Sequence, residues 1–455
     1  MATDSAVVVG ASIGGLLAAR VLSETHGRVT LVDRDPLPEQ AASRRGVPQG
    51  RQLHVLLDRG RQVLEELLPG VTDELVALGA PLIDLHGDVR WYNDGYLMQP
   101  AASGLRAIGV GRPLLEQVIR NRVAALPGVT ILPGHEVTAL TTTPDRRRVT
   151  GVRVHRRADG PSTTRELSAE LVVDAGGRGT RSPVWLAELG YRPAPEEQVP
   201  VGLTYVTRLY HRQPQQLDGL LGVLTNAVPG RTRGGIVAVQ EQDRFAVALS
   251  GMFGEEPPLD DAGLLAYADS LPAPEIGALL RHARPLGAPA RMRFPASVRR
   301  RYERLRRFPA GYLVFGDALC SFNPIYGQGI TAAALQAVEL ARLLPAGPHG
   351  LARRFFRRAA RVIDMPWSIA VGTDLRFPEV PGPRSARVRL TNAYVHRLHA
   401  AATANPTLGA AFLRVLNLVD PPRRLLAPTV AARVLRGSDG SARRFDRPTE
   451  VGTLE

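Results

Sequence analysis

Three times along this chain an apolar strand runs into a cluster of glycines and then into a helix, and nothing else in the sequence limits the fold as much. The first instance, AVVVGASIGGLLAARVLSETHGRVTLVDRD, reads as strand, tight turn, amphipathic helix and a second strand ending in an acid. This is the order of a dinucleotide-binding unit: Gly10 makes the turn, Gly15 allows close packing of helix on strand, and Asp33 is placed to bond adenosine ribose hydroxyls. The middle glycine of that pattern is replaced by Ser12, which keeps the backbone N–H, so a pyrophosphate still fits; Gly14 and Arg34 complete the expected binding set. Gly10 to Gly14 also match the G-x-S-x-G elbow of hydrolases. That elbow follows several strands and draws an oxyanion-hole donor from an earlier loop, whereas here the turn follows the first strand.

The second instance, ELVVDAGGRGTRSPVWLAELG, places Asp174 at the end of a Val-rich strand, before a glycine cluster and a helix starting near Ser182. The third, Tyr312 to Ala337, runs from strand into Gly316-Asp317, then a Pro/Gly loop, then a helix beginning near Ile330. A carboxylate at a strand end can accept hydrogen bonds from a polyol, and Gly327 and Gly329 let backbone N–H groups approach a ligand where the helix opens. The combination suits a flavin: Asp317 would hold the ribityl hydroxyls, and the positive end of the helix would stabilise negative charge on the N1/C2 carbonyl side of a reduced ring. The alternative is that Gly-Asp is a turn and the small residues serve close packing of helix and sheet.

In this order the three turns resemble the FAD-dependent monooxygenases related to para-hydroxybenzoate hydroxylase and squalene epoxidase, over most of the chain. GVPQGRQLHVLL, VVDAGGRGTR and GDALCSFNPIYGQG together are similar to the actinobacterial branch that contains olefin epoxidases of polyether antibiotic pathways. The resemblance implies ADP binding by Gly10, Gly15 and Asp33, contact of Asp174 with both FAD and the nicotinamide donor, and ribityl binding by Asp317. It also implies that Arg112, in GRPLLEQVIRNRV, contacts the cofactor beside its adenosine end. The chain departs from the family in reading Asp-Ala-Gly-Gly at the middle turn. Aromatic hydroxylases of the family carry His after Gly-Asp-Ala-Ala and Asn after Gly-Gln-Gly; this chain has Cys320 and, after Ile330, Thr331, which points to the epoxidase branch.

The function expected is that of a single-component FAD monooxygenase: NAD(P)H reduces the flavin, dioxygen adds at C4a, and the hydroperoxide delivers oxygen to an alkene in a lipophilic guest. Epoxidation needs no ionised substrate, so no dedicated base is expected, and the catalytic set is the ring-positioning residues Pro324, Gly327, Gln328 and Gly329. Three alternatives stay open. An aromatic hydroxylase would show a polar cluster facing the flavin, a reductase of the geranylgeranyl reductase kind would not donate oxygen, and a noncatalytic relative would bind FAD without turnover. A separate flavin reductase as partner is also open.

The fold class that follows is α/β: a Rossmann-like FAD-binding domain from residues 1–80, 105–195 and 305–345, an inserted, mainly antiparallel substrate-binding sheet from 81–104 and 196–304, and a helical region from 346–455. VGLTYVTRLYH, GGIVAVQ and RFAVALSGMF have strand character, the last two joined by a polar turn around Glu241 to Asp243. Beyond Arg208, His211 and Arg244 these strands carry few ionisable groups, which suggests an apolar guest. Pro366, Pro378, Pro381, Pro383, Pro406, Pro421 and Pro422 act as helix breakers in the C-terminal region.

Composition bounds the rest. The chain has 455 residues, enough for two or three domains, and 44% of them are apolar, which argues against wholesale disorder. All 57 Lys+Arg cations are Arg against 43 acids, giving +14. With abundant Ala, Gly and Pro this reads as GC-rich coding bias and not as a nucleic-acid footprint. Absence of Lys excludes a Walker A site and any lysine Schiff base. Cys320 is the single cysteine, so no intrachain disulfide or redox-active Cys pair can form, and a reducing cytoplasm fits. The first strand starts too near Met1 for a signal peptide, and no run approaches the ~20 apolar residues of a spanning helix. A soluble protein is expected, with peripheral membrane contact through the Arg-bearing C-terminal helices left open.

Single residues invite sharper readings. His396 and His399 share a helix face without a neighbouring carboxylate, so a solvated face is expected and no metal. Cys320 reads as a packing residue, His54 as near the flavin edge or structural, and Asp374 with Arg376 as cavity-lining or a local ion pair. The Arg clusters at 299 to 301, 306 to 307 and 353 to 358 read as solvated helix faces, with NADPH phosphate docking as the alternative.

Overall fold

Ser5–Val9 is the middle strand of a five-stranded parallel sheet whose order is Tyr312–Val314, Leu171–Asp174, Ser5–Val9, Arg28–Val32 and Val129–Leu132. The computed structural model describes residues 4–156 and 164–437; the remaining residues of the expected ranges, 1–3, 157–163 and 438–455, lie outside it. Central parallel strands are covered on both faces, which is why these read as unbroken Val and Leu runs, with Val8, Val172, Val173 and Leu313 fully buried. The register has one decisive consequence: Val9 lies opposite Asp174, and Asp174 lies opposite Val314. The three glycine turns therefore leave the sheet side by side at one edge.

Helices Ile13–Leu22 and Gly329–Leu343 follow the first and third turns and pack on each other. Small residues make the second helix narrow: Ala332, Ala334 and Ala337 are buried, and Thr331 sits so close to helix Asp58–Leu67 that a Cβ on Gly60 would meet its Oγ1 at 2.6 Å. Burying Leu16, Leu17 and Leu22 on the first helix stabilises this layer by about 1.5–3 kcal/mol each.

The second sheet has eight strands, in the order Cys320–Ser321, Ala290–Arg300, Glu196–His211, Arg244–Gly251, Arg233–Gln240, Gly222–Thr225, Val89–Asn93, Tyr96–Leu97. Its period-two pattern separates two faces. Val237, Val239, Phe245, Val247 and Leu249 pack under helices Asp261–Asp269 and Pro274–His282, while Ile236, Ala238, Ala248 and Ser250 face a cavity. Strands Arg233–Gln240 and Arg244–Gly251 form a hairpin whose polar connection is Glu241 to Asp243. At the far edge Asp94 and Gly95, at φ +54° and +83°, make a two-residue hairpin turn between Val89–Asn93 and Tyr96–Leu97. Segment 81–104 is thus shared, because Leu82–Asp84 joins a small sheet with Val55–Leu56 and Arg106–Gly109.

Beyond the last glycine turn the chain is helical: Leu351–Asp374, Ala386–Ala401, Pro406–Leu416 and Pro428–Arg436. Pro406 and Pro428 start helices, where their missing N–H costs nothing. Pro366 departs from its expected role as a breaker and lies inside the helix Leu351–Asp374. Burial of Phe355, Phe356, Ile363, Trp367 and Ala370 on either side holds the helix together across it. Among the described residues no helix is long and apolar enough to cross a membrane. The mixed architecture is the α/β class expected from the sequence.

Candidate functional site

A cavity of about 2400 Å³ lies between the glycine-turn edge of the parallel sheet, the open face of the eight-stranded sheet and the C-terminal helices. Gly10, Ser12, Gly14, Asp33 and Arg34 reach it from the first turn and second strand. Asp174 and Arg112 line it beside them, and Gly316, Asp317, Pro324, Gly327, Gly329 and Ile330 line it from the third turn. Gly15 and Gln328 are not on its wall.

The first turn is forced by proximity. Gly10 has φ +96°, and a Cβ there would lie 2.8 Å from the Ala175 carbonyl oxygen, so only glycine lets the first and second turns touch. A Cβ on Gly15 would lie 1.8 Å from the Gly10 oxygen, so this position is a packing requirement away from the cavity. Asp33 Oδ2 accepts from the Ala11 N–H at 2.7 Å, and its Oδ1 accepts from Arg44 Nη1 at 3.0 Å. Ser12 Oγ donates to Glu116 Oε2 at 2.7 Å and accepts from Arg112 Nη2 at 2.9 Å. A serine bonded to a carboxylate and a guanidinium, without an imidazole, is not an elbow nucleophile, and the hydrolase alternative falls.

Asp174 is consumed by its own turn. Its Oδ1 accepts from the Gly176 N–H at 2.8 Å, and its Oδ2 accepts from the hydroxyls of Thr180 and Ser182. The carboxylate shapes the backbone of residues 175–177 along the cavity; it is not a free acceptor there.

Asp317 is the opposite case: among the described residues no hydrogen-bond donor reaches its carboxylate, which lines the cavity. Burial raises its pKa, while the charges of Arg112 and Arg178 act against that rise. Arg112 therefore couples the first turn, through Ser12 and Glu116, to the third. Helix Gly329–Leu343 begins one residue before Ile330 and opens toward the same space. A Cβ added at Gly329 would have no atom within 4 Å, so its backbone is open to close approach.

The amino-terminal part of the chain, residues 3–213, matches the family model described as an FAD binding domain. Over 432 residues the chain is 37% identical to protein Rv3254 of Mycobacterium tuberculosis, covering 92% of this chain and 90% of that protein. The chain belongs to one family with Rv3254, and its amino-terminal part is an FAD-binding domain. Solved structures share the fold at low identity. A flavoprotein/dehydrogenase from Cytophaga hutchinsonii aligns over 95% of this chain and 99% of its own, with TM-score 0.66 and 16% identity. The p-nitrophenol 4-monooxygenase PnpA from Pseudomonas putida DLL-E4 aligns over 92% and 98%, with TM-score 0.61 and 15% identity.

The flavoprotein's cavity fits FAD on observations of its own. Among the described residues buried Arg44 Nη2, on a cavity-lining side chain, has no hydrogen-bond partner and Asp317 presents an acceptor without a donor, while the open backbone at Gly329 admits a flat ring. Arg44 and Glu116 belong to the polar network behind the first turn, and sequence reasoning misses them. Glu116 carries a signal, being four residues after Arg112 on one helix, whereas Arg44 lies in an irregular loop that carries none. Glu116 joins the two arginines, accepting from Arg44 Nε at 2.7 Å.

Other readings are corrected by long-range contacts. The Gln328 side chain turns from the cavity and donates to the Leu416 carbonyl at 2.9 Å, so its expected place at the ring is not where the fold puts it. Asp374 and Arg376 do not pair with each other: Asp374 Oδ1 accepts from Tyr326 OH at 2.8 Å and Asn323 Nδ2 at 3.1 Å, and Arg376 pairs with Asp94. Burial pushes the Asp374 carboxyl up to about 7 despite those two donors. His396 and His399 meet a carboxylate after all, with their Nδ1 atoms 3.2 and 2.7 Å from Asp94 Oδ2. Burial alone would raise the Asp94 pKa, but His399 and Arg376 hold it well below the usual carboxylate range. Arg299, read as part of a solvated helix face, is instead buried on strand Ala290–Arg300 and donates to Asp364 Oδ1 at 2.6 Å.

His54 lines the cavity, its Nδ1 donating to the Gln52 carbonyl at 2.9 Å. Burial, then the charge of Arg112, push its pKa down to about 4, so the ring is neutral at pH 7 and Nε2 is an acceptor.

Proposed function

We propose that this flavoprotein uses NAD(P)H and dioxygen to transfer one oxygen atom to a lipophilic substrate, with an alkene as the acceptor. The observation that carries this is the mostly apolar lining of the cavity: Trp91, Leu224, Ile236, Met292, Phe294 and Trp367 share it with Asp317 and Gly329. Bound FAD supplies the oxygen-activating chemistry. The chain's own residues position and dry it. In this reading the backbone at Gly10, Ser12 and Gly14 takes the pyrophosphate, Asp33, Arg34 and Arg44 hold the adenosine end, and Arg112 spans to the ribityl region. Asp317 accepts from the ribityl hydroxyls. Pro324, Gly327 and Gly329 bound the ring, the helix end at Ile330 faces its developing negative charge, and Asp174 and Gln328 act indirectly by holding the two loops. Residues 1–80, 105–195 and 305–345 would then form the cofactor unit, with 81–104 and 196–304 roofing the guest.

Hydroxylation of a phenol is the second reading, favoured by one observation: Asp94, His399 and Arg376 put a polar cluster on the cavity wall. Purified protein should be yellow, and the test is NADPH consumption stimulated by lipophilic polyenes or by phenols, with and without an added flavin reductase, under labelled dioxygen. Label in a nonaromatic product supports epoxidation; label in a phenolic product supports the second reading. Yellow protein that transfers label to neither class would fit a reductase instead.

Membrane contact fits the mouth of the cavity. Leu390, Leu426 and Leu435, exposed to 71%, 64% and 62%, border it. Residues 384–437 carry nine Arg and a single acid, Asp420, which suits an anionic surface. Co-sedimentation with phosphatidylglycerol vesicles but not phosphatidylcholine vesicles is the expected result, and equal recovery with both would remove the idea.

A further inference from the structure

We propose that His399, held by Asp94 and flanked by Arg376, is a subsite that recognises a hydroxyl group on the substrate. The inference rests on the reading of the cavity as a substrate chamber and adds a chemical class to its guest.

The starting point is the hairpin. The Asp94-Gly95 turn carries a carboxylate of 3% side-chain exposure out of the eight-stranded sheet to the C-terminal helices. There Asp94 Oδ2 lies 2.7 Å from His399 Nδ1, and Arg376 pairs with Oδ1. A carboxylate facing Nδ1 takes a hydrogen bond from it, and the tautomer that this contact selects carries its proton on Nδ1 and its lone pair on Nε2. The ring is held edge-on to Phe412 at 4.6 Å between centroids, which limits its rotation.

A structural purpose accounts for part of this. Asp94 ties the roof hairpin to Arg376 and to helix Ala386–Ala401, and such a cross-link needs only Nδ1 and the guanidinium. It leaves Nε2 unexplained: that atom is buried and without a hydrogen-bond partner among the described residues, on a cavity-lining side chain that is itself 6% exposed. The same holds for Asn93 Nδ2, next to Asp94 in the chain, and for Thr225 Oγ1. Polar atoms buried without partners are rare, because each gives up the hydrogen bonds that water would make to it.

Charge chooses the guest. One carboxylate is set against one guanidinium, so this ion pair leaves no surplus charge to attract a phosphate or a carboxylate. A hydroxyl can donate to Nε2 and accept from an amide N–H; an ether or carbonyl can only accept, and a hydrocarbon can do neither.

The test is binding of 2-naphthol, 2-methoxynaphthalene and naphthalene to the FAD-loaded protein, followed by perturbation of the flavin absorption without NAD(P)H. Wild type is expected to hold 2-naphthol about tenfold more tightly than the other two. His399→Leu should abolish that preference while naphthalene affinity stays, and His399→Gln, whose amide oxygen still accepts, should restore part of it. Asp94→Asn should weaken the preference by releasing the ring. Structural damage would shift all three probes together, so the ratio separates recognition from folding; if His399→Leu does not fold, His399→Gln against wild type carries the test. A preference that survives His399→Leu, or a wild type that shows none or binds no probe up to its solubility limit, overturns the proposal. An intact ratio in a protein that transfers no oxygen would keep the subsite and defeat the monooxygenase reading of the cavity.

Discussion

At the cofactor end of the cavity each turn is encoded within a short run of the chain, and register alone brings the three turns together. At the substrate end the Asp94 cluster takes its members from a hairpin, a residue just past one long helix and the last two turns of another, with Asp94 and His396 302 positions apart. The first kind of site depends on what backbone can do: a positive φ, an open N–H, a close approach. The second depends on where distant layers happen to pack, and one side chain out of place removes it.

Substitutions should therefore behave differently at the two ends. The largest effect is expected for Gly10→Val, which combines a disfavoured φ with a Cβ 2.8 Å from the Ala175 oxygen; about 3 kcal/mol or more is at stake. The purified variant should be colourless or insoluble, and a yellow, stable Gly10→Val would break the claim that turn contact builds the cofactor end. Asp317→Ala removes an acceptor without upsetting a protein hydrogen bond, so the chain should fold while FAD binds roughly thirtyfold more weakly, a loss of about 2 kcal/mol, read by titration of the apoprotein.

The third prediction concerns pH. Asp374 has a folded pKa raised to about 7, so the native state keeps a proton that the unfolded chain has already lost. Its stabilising contribution is complete below about pH 4, declines as pH rises, and is gone above about pH 7. Melting temperatures measured across that window should fall less with pH in Asp374→Asn than in wild type; equal slopes would show that burial does not keep this carboxyl protonated. The smallest effect should come from Gln328→Leu. Loss of the bond to Leu416 should lower stability by about 1 kcal/mol and leave the flavin spectrum unchanged, and a shifted spectrum would return the side chain to the ring.

The parts of the site that are readable share a local cause. Gly10, Gly15 and Asp317 announce themselves because a strand followed by glycine or Gly-Asp and then a helix has few conformations open to it. Gln328 sits in an equally recognisable stretch, yet its side chain lies away from the ring. Motif position says where its backbone goes but not that a carbonyl on helix Pro406–Leu416 will claim its amide. His396 and His399 read as solvated for the same reason, since the carboxylate that they meet belongs to another layer. Asp94-Gly95 does carry a signal as a hairpin turn between β-forming residues, although the turn gives no hint of its partners.

By itself, then, the sequence determined the three strand-turn-helix units, their parallel sheet and the FAD-binding character of the chain. Each rests on preferences of residues within a few positions of one another. Only the tertiary structure decided that Asp317 faces the cavity, that Glu116 joins Arg44 to Arg112, and that Asp94 reaches His399. Those outcomes follow from the distances between packed layers, which no short stretch of residues specifies.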